Sequence, residues 1–416
     1  MFNLIQQKNN KNSLAFCTNV FLFLTIILFL IGLATDPLKI QYNLFFHDFT
    51  DLLADFFNHI IYTADCNPYW AVDESSTHRI LPPLHYALAY GVRQFIDCEM
   101  TLEAMWKDPK AMGCAIVFLT CSEIFMLFML SKLIENKKNY ITLLLLVFTG
   151  INLYAIERGT MAIFSAGCIA GFLHYYQYPE RKIQLFSLVL LSLSASLKIY
   201  PALFGLFLLK KRDCKAIIFC ILLTSALGFL PLLMFKGGFG NLKILFGNLE
   251  KYRIFFTLSS QQQVLRNFLI FCFKITNYQE VIDFLKVLVD IIAITTLCVS
   301  FLNNNRERMT LAIASVITLC PIGAAPYTQC YLFAPFLFFM NRASKSCSKF
   351  DIFMAAGYIL LFMPYQFAGK INELFILFVL PAMLTAQCII ELKELKNSKK
   401  SFREILTDCF KKNGVI

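Results

Sequence analysis

Charge is scarce in this chain. Only 16% of its 416 residues are Asp, Glu, Lys or Arg, while 58% are hydrophobic and 44 are Phe. A soluble core of this length could not hide so much apolar surface, so a soluble globular domain is excluded and an all-α polytopic integral membrane protein is expected. A CxxC pair, a His/Cys cluster at zinc spacing and a glycine-rich phosphate loop are also missing, which removes dithiol redox, zinc-ribbon and P-loop chemistry. No convincing half-to-half repeat is visible, which counts against a transporter, although a chain with many broken helices keeps that reading as the main alternative. The first apolar run is too long, and too weakly followed by small residues, for a cleaved signal.

What is present is a series of apolar runs near the roughly 20 residues that cross a bilayer. They lie at residues 15–34, 111–133, 140–155, 161–178, 216–235, 281–302, 350–367 and 371–392. Backbone polar groups in lipid must pair within their own segment, so each run is expected to be a helix. Lys8 and Lys11, Lys137 and Lys138, Arg181 and Lys182, and the tail at 393–416 carry the basic clusters. With both termini cytoplasmic, all of these fall on the inner face. The net charge of +11 is then positive-inside bias and calls for no nucleic-acid partner.

Two stretches are basic at both ends and broken in the middle. One runs from Lys182 to Lys210 around Lys198-Ile199-Tyr200-Pro201, the other from Arg308 to Arg342 around Pro321 to Tyr327. One straight helix would put the basic ends on opposite faces, so each is predicted to be a hairpin dipping in from the cytoplasm. Its tip should line a cavity open to the outer side. About twelve membrane segments result, forming one domain over 1–416 with outer loops at 35–110 and 236–279. The first loop is acidic and is expected to carry surface helices near 51–62 and 83–96 that wall a cleft.

Within that loop Asp48 and Asp51 stand at i and i+3. On a helix they share a face, which suits a general base for an acceptor hydroxyl, or a shared divalent ion if the two carboxylates face each other. Equally, Thr50 or Asp51 could cap a helix beginning near Leu52. No metal is predicted, and His47, His59, His78 and His85 lack regular ligand spacing. Cys66 and Cys98 are the two cysteines of this loop and could pair in an oxidising compartment; the others behave as small core residues. Arg158, beside a Gly that lets another chain approach, could grip a phosphate with its planar fork; otherwise it snorkels and pairs with Glu157. Lys198 is an intramembrane cation that needs an anionic partner, a lipid phosphate or Glu123. Asp283, Lys286 and Asp290 share one helix and are expected to neutralise one another. The Ser259 to Gln263 stretch offers amide donors for sugar hydroxyls or for solvent.

Taken in order, Asp48-Phe49, Asn67-Pro68-Tyr69, Pro82-Pro83-Leu84, Glu157-Arg158-Gly159, Leu197-Lys198-Ile199-Tyr200-Pro201 and Pro326-Tyr327 resemble glycosyltransferase family 87. These are polytopic GT-C-type enzymes similar to polyprenol-phosphate-mannose-dependent mannosyltransferases. The resemblance covers roughly residues 15–340. It implies inverting transfer of one sugar, such as mannose, from a polyprenyl phosphate to a hydroxyl of a lipid or glycan, with the first-loop aspartate as base, a role that falls to Asp48, beside which spacing places Asp51 as the second candidate catalytic carboxylate. Lys198, Arg158 and Tyr200 would hold the donor phosphate; Gln262, Tyr327 and Gln329 would contact sugar or acceptor. Thr160 stands where an Asn often follows Arg-Gly, and Leu81 where an aromatic usually precedes Pro-Pro. A lipid-linked glycan polymerase or ligase is the neighbouring alternative. The Lys-, Ile- and Phe-rich composition points to a bacterial plasma membrane, with the active site extracytoplasmic.

Overall fold

The computed structural model describes residues 18–31, 34, 52–64, 67–70, 79–97, 101–255, 266, 270, 278–303, 305–321, 326–345, 348–363, 371–398 and 404. Asp48, Asp51, Gln262, Cys66 and Cys98 lie outside the described residues. No strand occurs among the described ones. Among the described residues four helices are long and apolar enough to cross a bilayer: Pro109–Ser131, Cys214–Met234, Gln279–Leu302 and Leu374–Asn397. The pair Asn139–Leu146 and Gly150–Arg158, bent by 40°, makes a fifth when counted as one span. Ile116, Val117, Ile124, Ile218, Leu222 and Ile291 are exposed on these helices, as lipid rather than water requires, and the protein is an integral membrane protein.

The bend was not expected in the run 140–155. Neither Pro nor a charge marks it. Instead Thr149 Oγ1 donates to Leu146 O at 2.8 Å and Asn152 Nδ2 donates to Val147 O at 3.1 Å, so side chains take up carbonyls that the break frees from the helical ladder. Helix Ala162–Tyr175 is buried almost all round. A Cβ built on its Gly167 would lie 2.9 Å from Met126 Cα, and the absence of that atom lets the 109–131 helix pack closely against it.

Both broken stretches fold back on themselves. Helix Arg181–Leu197 has 17 residues and is about 25 Å long. After it the chain turns through a 3-10 segment, Tyr200–Gly205, and returns along Leu206–Lys211. Gln184 Nε2 then donates to Asp213 Oδ2 at 2.9 Å, and Lys211 Nζ to Tyr176 O at 3.3 Å. The start and finish of the stretch therefore share one end, and Lys198 sits at the other. The second stretch repeats the plan with Arg306–Leu319, a 3-10 segment at Pro326–Leu332 and Phe333–Ala343. Its ends are closed by Arg342, which donates through Nε to Glu307 at 2.7 Å and through Nη1 to Asp351 at 2.5 Å.

The same end collects the ion pairs Lys345–Glu135 at 2.5 Å and Arg308–Glu394 at 2.6 Å. Asn139 Nδ2 donates there to Asn341 Oδ1 at 3.0 Å, and Lys210 Nζ to Phe301 O at 2.9 Å. The described basic residues at the ends of the two hairpins are thus gathered at one end of the bundle, and the two hairpin tips face the other.

Over the tips lie the helices of residues 35–110. Ala54–Tyr62 and Pro83–Arg93 fall close to the expected bounds. Residues 236–279 contribute a helix the sequence did not announce, Asn241–Phe255. It is tied to the first loop by Asn67 Nδ2 donating to Asn241 Oδ1 at 3.1 Å and Asn248 Nδ2 donating to Tyr69 O at 2.8 Å.

Candidate functional site

The tips of the two hairpins meet. Lys198, immediately after the 181–197 helix, is 5% exposed, and its Nζ stands 5.2 Å from the centroid of the Tyr327 ring. Tyr327 also stacks near Tyr154, with centroids 6.3 Å apart and planes 16° from parallel. A polar ladder fixes this meeting. Ser165 Oγ lies 2.6 Å from Ser194 Oγ of the first hairpin and 2.7 Å from Tyr331 Oη of the second. Buried hydroxyls that satisfy one another specify a single arrangement, because any slip leaves one without a partner.

Arg158 closes the site from the bent helix pair. Gly159 ends that helix at φ +68°, a left-handed cap that Gly adopts without steric cost. It also makes room, since a Cβ there would fall 2.8 Å from Phe56 Cβ. The close approach expected beside Arg158 is therefore made by helix Ala54–Tyr62. That helix starts at Leu53, itself in the left-handed region at φ 57°, with no side-chain cap; Leu53 N instead donates to Glu157 O at 2.5 Å. A bulky residue in this conformation is strained and persists where its surroundings dictate it. The cap considered for Thr50 or Asp51 falls outside the described residues.

The docking delivers an acid that sequence reasoning passed over. Asp55 Oδ1 accepts from Arg158 Nη2 at 2.5 Å and from Nε at 3.1 Å. Both side chains are largely buried, at 18% and 14% exposure. Asp55, Tyr200, Tyr154 and Arg158 are all near enough to act electrostatically on the Tyr327 hydroxyl, and Tyr252 of the second-loop helix feels Asp55 and Tyr200. Gln329 is buried just beyond Tyr327, and its Oε1 lacks a hydrogen-bond partner among the described residues.

Lys198 is the unusual member. Among the described residues no carboxylate comes within ion-pair distance of its Nζ and no hydrogen bond reaches it. The structural pair with Glu123 is not made, since both Glu123 carboxylate oxygens lack hydrogen-bond partners. An ammonium carries three donors, and in a residue so largely buried they call for an acceptor beyond the longer-range attraction of Asp55.

One turn beyond Asp55, His59 Nδ1 lies 2.8 Å from His85 Nε2 of the 83–93 helix. The two histidines pair with each other, and no group of three or more His, Cys, Asp or Glu able to hold an ion occurs among the described residues. Both imidazoles are held well below the usual histidine range, first by burial and then by neighbouring titratable groups, Lys198 and Arg158 for His59 and the paired His59 imidazole and Lys198 for His85. No spacing rule could have found this pair, because it joins residues 26 positions apart.

A site with two cations and several phenols can hold an anionic phosphate and a polyhydroxy group. Residues 109–323, just over half of the chain, match glycosyltransferase family 87. The matched region contains Arg158, Lys198 and Tyr200; the first-loop acids and Tyr327 lie outside it. No curated protein and no solved structure matches the chain. With its apolar spanning helices and a family match that includes both cations of the site, the chain belongs to glycosyltransferase family 87 and is a membrane glycosyltransferase.

Proposed function

We propose that this enzyme moves a single hexose such as mannose from a polyprenyl-phosphate donor to a hydroxyl of a lipid or glycan acceptor, with inversion, on the extracytoplasmic face of a bacterial plasma membrane. The observation that carries the reading is Lys198, a residue 5% exposed that stands where both hairpin tips meet and, among the described residues, makes no ion pair, Asp55 acting on it only from beyond ion-pair distance. An anionic lipid head would satisfy it.

In this reading the whole chain is one GT-C-like domain of about twelve membrane segments, with both termini cytoplasmic and the basic end of the bundle inside. The lipid tail stays among the helices, and Lys198, with Arg158 and Tyr200, holds the phosphate. Asp48, with Asp51 nearby, takes the proton of the acceptor hydroxyl as its oxygen attacks the anomeric carbon. The bond from that carbon to the phosphate oxygen breaks, and the polyprenyl phosphate leaves with the electron pair. Because the leaving phosphate gains negative charge in the transition state, cations already fixed beside it stabilise that state more than the ground state. Asp55 aligns the Arg158 guanidinium through Nε and Nη2, while Tyr327, Gln329 and Gln262 contact sugar or acceptor.

The test is transfer by the purified enzyme in lipid nanodiscs of radiolabelled hexose from a polyprenyl phosphate. Label is expected to enter a lipid or glycan fraction, one sugar per event. Transfer from a sugar nucleotide but not from the lipid donor would overturn the donor class, and movement of a preassembled chain would make the protein a ligase.

A further inference from the structure

A second intramembrane lysine behaves in the opposite way to Lys198. Lys286 lies in the spanning helix Tyr278–Leu302, and its Nζ donates to Asp290 Oδ1 at 2.5 Å, to Leu319 O at 3.0 Å and to Cys320 O at 3.2 Å. Three donors meet three acceptors. Nothing remains for a ligand, so Lys286 is not a second anion site, although it borders an apolar cavity of about 130 Å³ with Leu285, Val289, Leu377 and Pro381.

The two carbonyls it takes belong to the last turn of helix Arg306–Leu319 and its cap, the point where the second hairpin stops descending. A helix end leaves carbonyls without intrahelical partners. Within a bilayer no water replaces those partners, and Pro321 follows with no N–H of its own to offer. The neighbouring spanning helix supplies the donor instead, and Asp290, one turn along, offsets the charge. The partner of the ammonium is thus the backbone at the turn. The returning 3-10 segment Pro326–Leu332, which carries Tyr327, packs along the same 306–319 helix and on the bent helix pair.

We propose that Lys286 is a positioning residue for sugar transfer. By clamping the end of the 306–319 helix it sets the depth at which the second hairpin turns, and so the place of Tyr327 against the Lys198 ammonium. This inference rests on the reading of Lys198 as the phosphate-binding cation.

The test compares Lys286→Met, Lys286→Arg and Asp290→Asn in nanodiscs, measuring polyprenyl-phosphate affinity, KM and kcat for the polyprenyl-phosphate donor, and Tm. In Lys286→Met the tip is expected to lose its register, with affinity for polyprenyl phosphate down at least about tenfold and kcat down by up to about a hundredfold, the scale of an ångström-sized misplacement. Lys286→Arg, which keeps donors for the carbonyls, should recover most of both. Asp290→Asn, which keeps the ammonium and its two carbonyl bonds, should stay within a few-fold of wild type. A lower Tm in Lys286→Met with affinity and kcat unchanged would overturn the proposal, as would a folded Asp290→Asn that loses as much as Lys286→Met. If Lys286→Met does not fold, Lys286→Gln, with two N–H donors and no charge, takes its place with the opposite expectation: affinity and kcat within a few-fold of wild type support the carbonyl clamp, and a folded Lys286→Gln that loses tenfold or more in either overturns it. Should Lys198→Ala leave polyprenyl-phosphate affinity intact, the phosphate reading itself fails; if Lys198→Ala weakens binding and the Lys286 variants do not, only the clamp fails.

Discussion

Replacing Gly159 by Ala adds one carbon atom at the seam between the membrane bundle and the 54–62 helix docked on it. Two costs arise there. The backbone sits at φ +68°, which an L-residue with a Cβ adopts at a cost of roughly 1 kcal/mol. The new methyl would also start 2.8 Å from Phe56 Cβ and 3.4 Å from Leu53 Cα. These atoms belong to or adjoin the backbone of the docked helix, so relief requires moving that helix, and overpacking of this kind costs about 1–3 kcal/mol. The sum is about 2–4 kcal/mol. The helix that must move carries Asp55, which aligns Arg158, so a shift approaching an ångström should cost up to about a hundredfold in rate. The assay is Tm in detergent together with kcat/KM for the lipid-linked donor. Gly113→Ala is the control, because a Cβ there meets nothing within 4 Å and the substitution should be neutral or mildly stabilising. If Gly159→Ala matched wild type in both Tm and turnover, the packing of the 54–62 helix against Arg158 would be refuted.

Other predictions concern the acids and the imidazole pair. Asp48→Asn should abolish transfer while leaving the protein folded and polyprenyl phosphate bound, with Asp51→Ala milder; turnover by Asp48→Asn at the wild-type rate would remove Asp48 from the mechanism. Asp55→Ala should raise the donor KM by about tenfold or more, since a largely buried guanidinium loses the oxygen that aligns it, and an unchanged KM would assign that ion pair to the scaffold alone. The depressed titration of His59 and His85 means that as pH falls below about 6.5 the unfolded chain takes up protons that the folded one refuses. The stability contribution is therefore complete above that pH and declines below it, by up to about 1.4 kcal/mol per pH unit for each imidazole until its folded pKa is reached. Tm followed from pH 8 to 5 should show this decline in wild type and a flatter curve in a His59→Gln/His85→Gln double variant; parallel curves would contradict it.

Much of the bundle could be read from charge placement. Arg181–Lys182 against Lys210–Lys211, and Arg308 against Arg342, marked stretches whose ends must share a face, and Gln184 with Asp213 and Glu307 with Arg342 close those ends. The bend at 147–149 left no such mark, because Thr149 and Asn152 are ordinary polar residues until the carbonyls they serve are known. At the site, Arg158, Lys198 and Tyr327 stood out as a rim Arg beside Gly, a lone apolar-segment Lys and a tip aromatic. Asp55 did not. It was one acid among many in an acidic loop, and its distinction is a partner 103 residues away. His59 and His85 were set aside for lack of ligand spacing, yet a pair across two helices obeys no local spacing. Lys286 was read correctly as neutralised by Asp290, but the two carbonyls it also holds belong to another helix.

The central claim is that the Lys198 ammonium is a lipid-phosphate ligand, and equilibrium binding of polyprenyl phosphate to wild-type and Lys198→Ala enzyme in nanodiscs tests it most directly. A charge-assisted phosphate contact of about 1.5–3 kcal/mol predicts that affinity falls by roughly ten- to hundredfold while Tm is maintained or rises, because a largely buried charge has been removed. Equal affinity in the two proteins, or a Tm lowered with affinity intact, would contradict it.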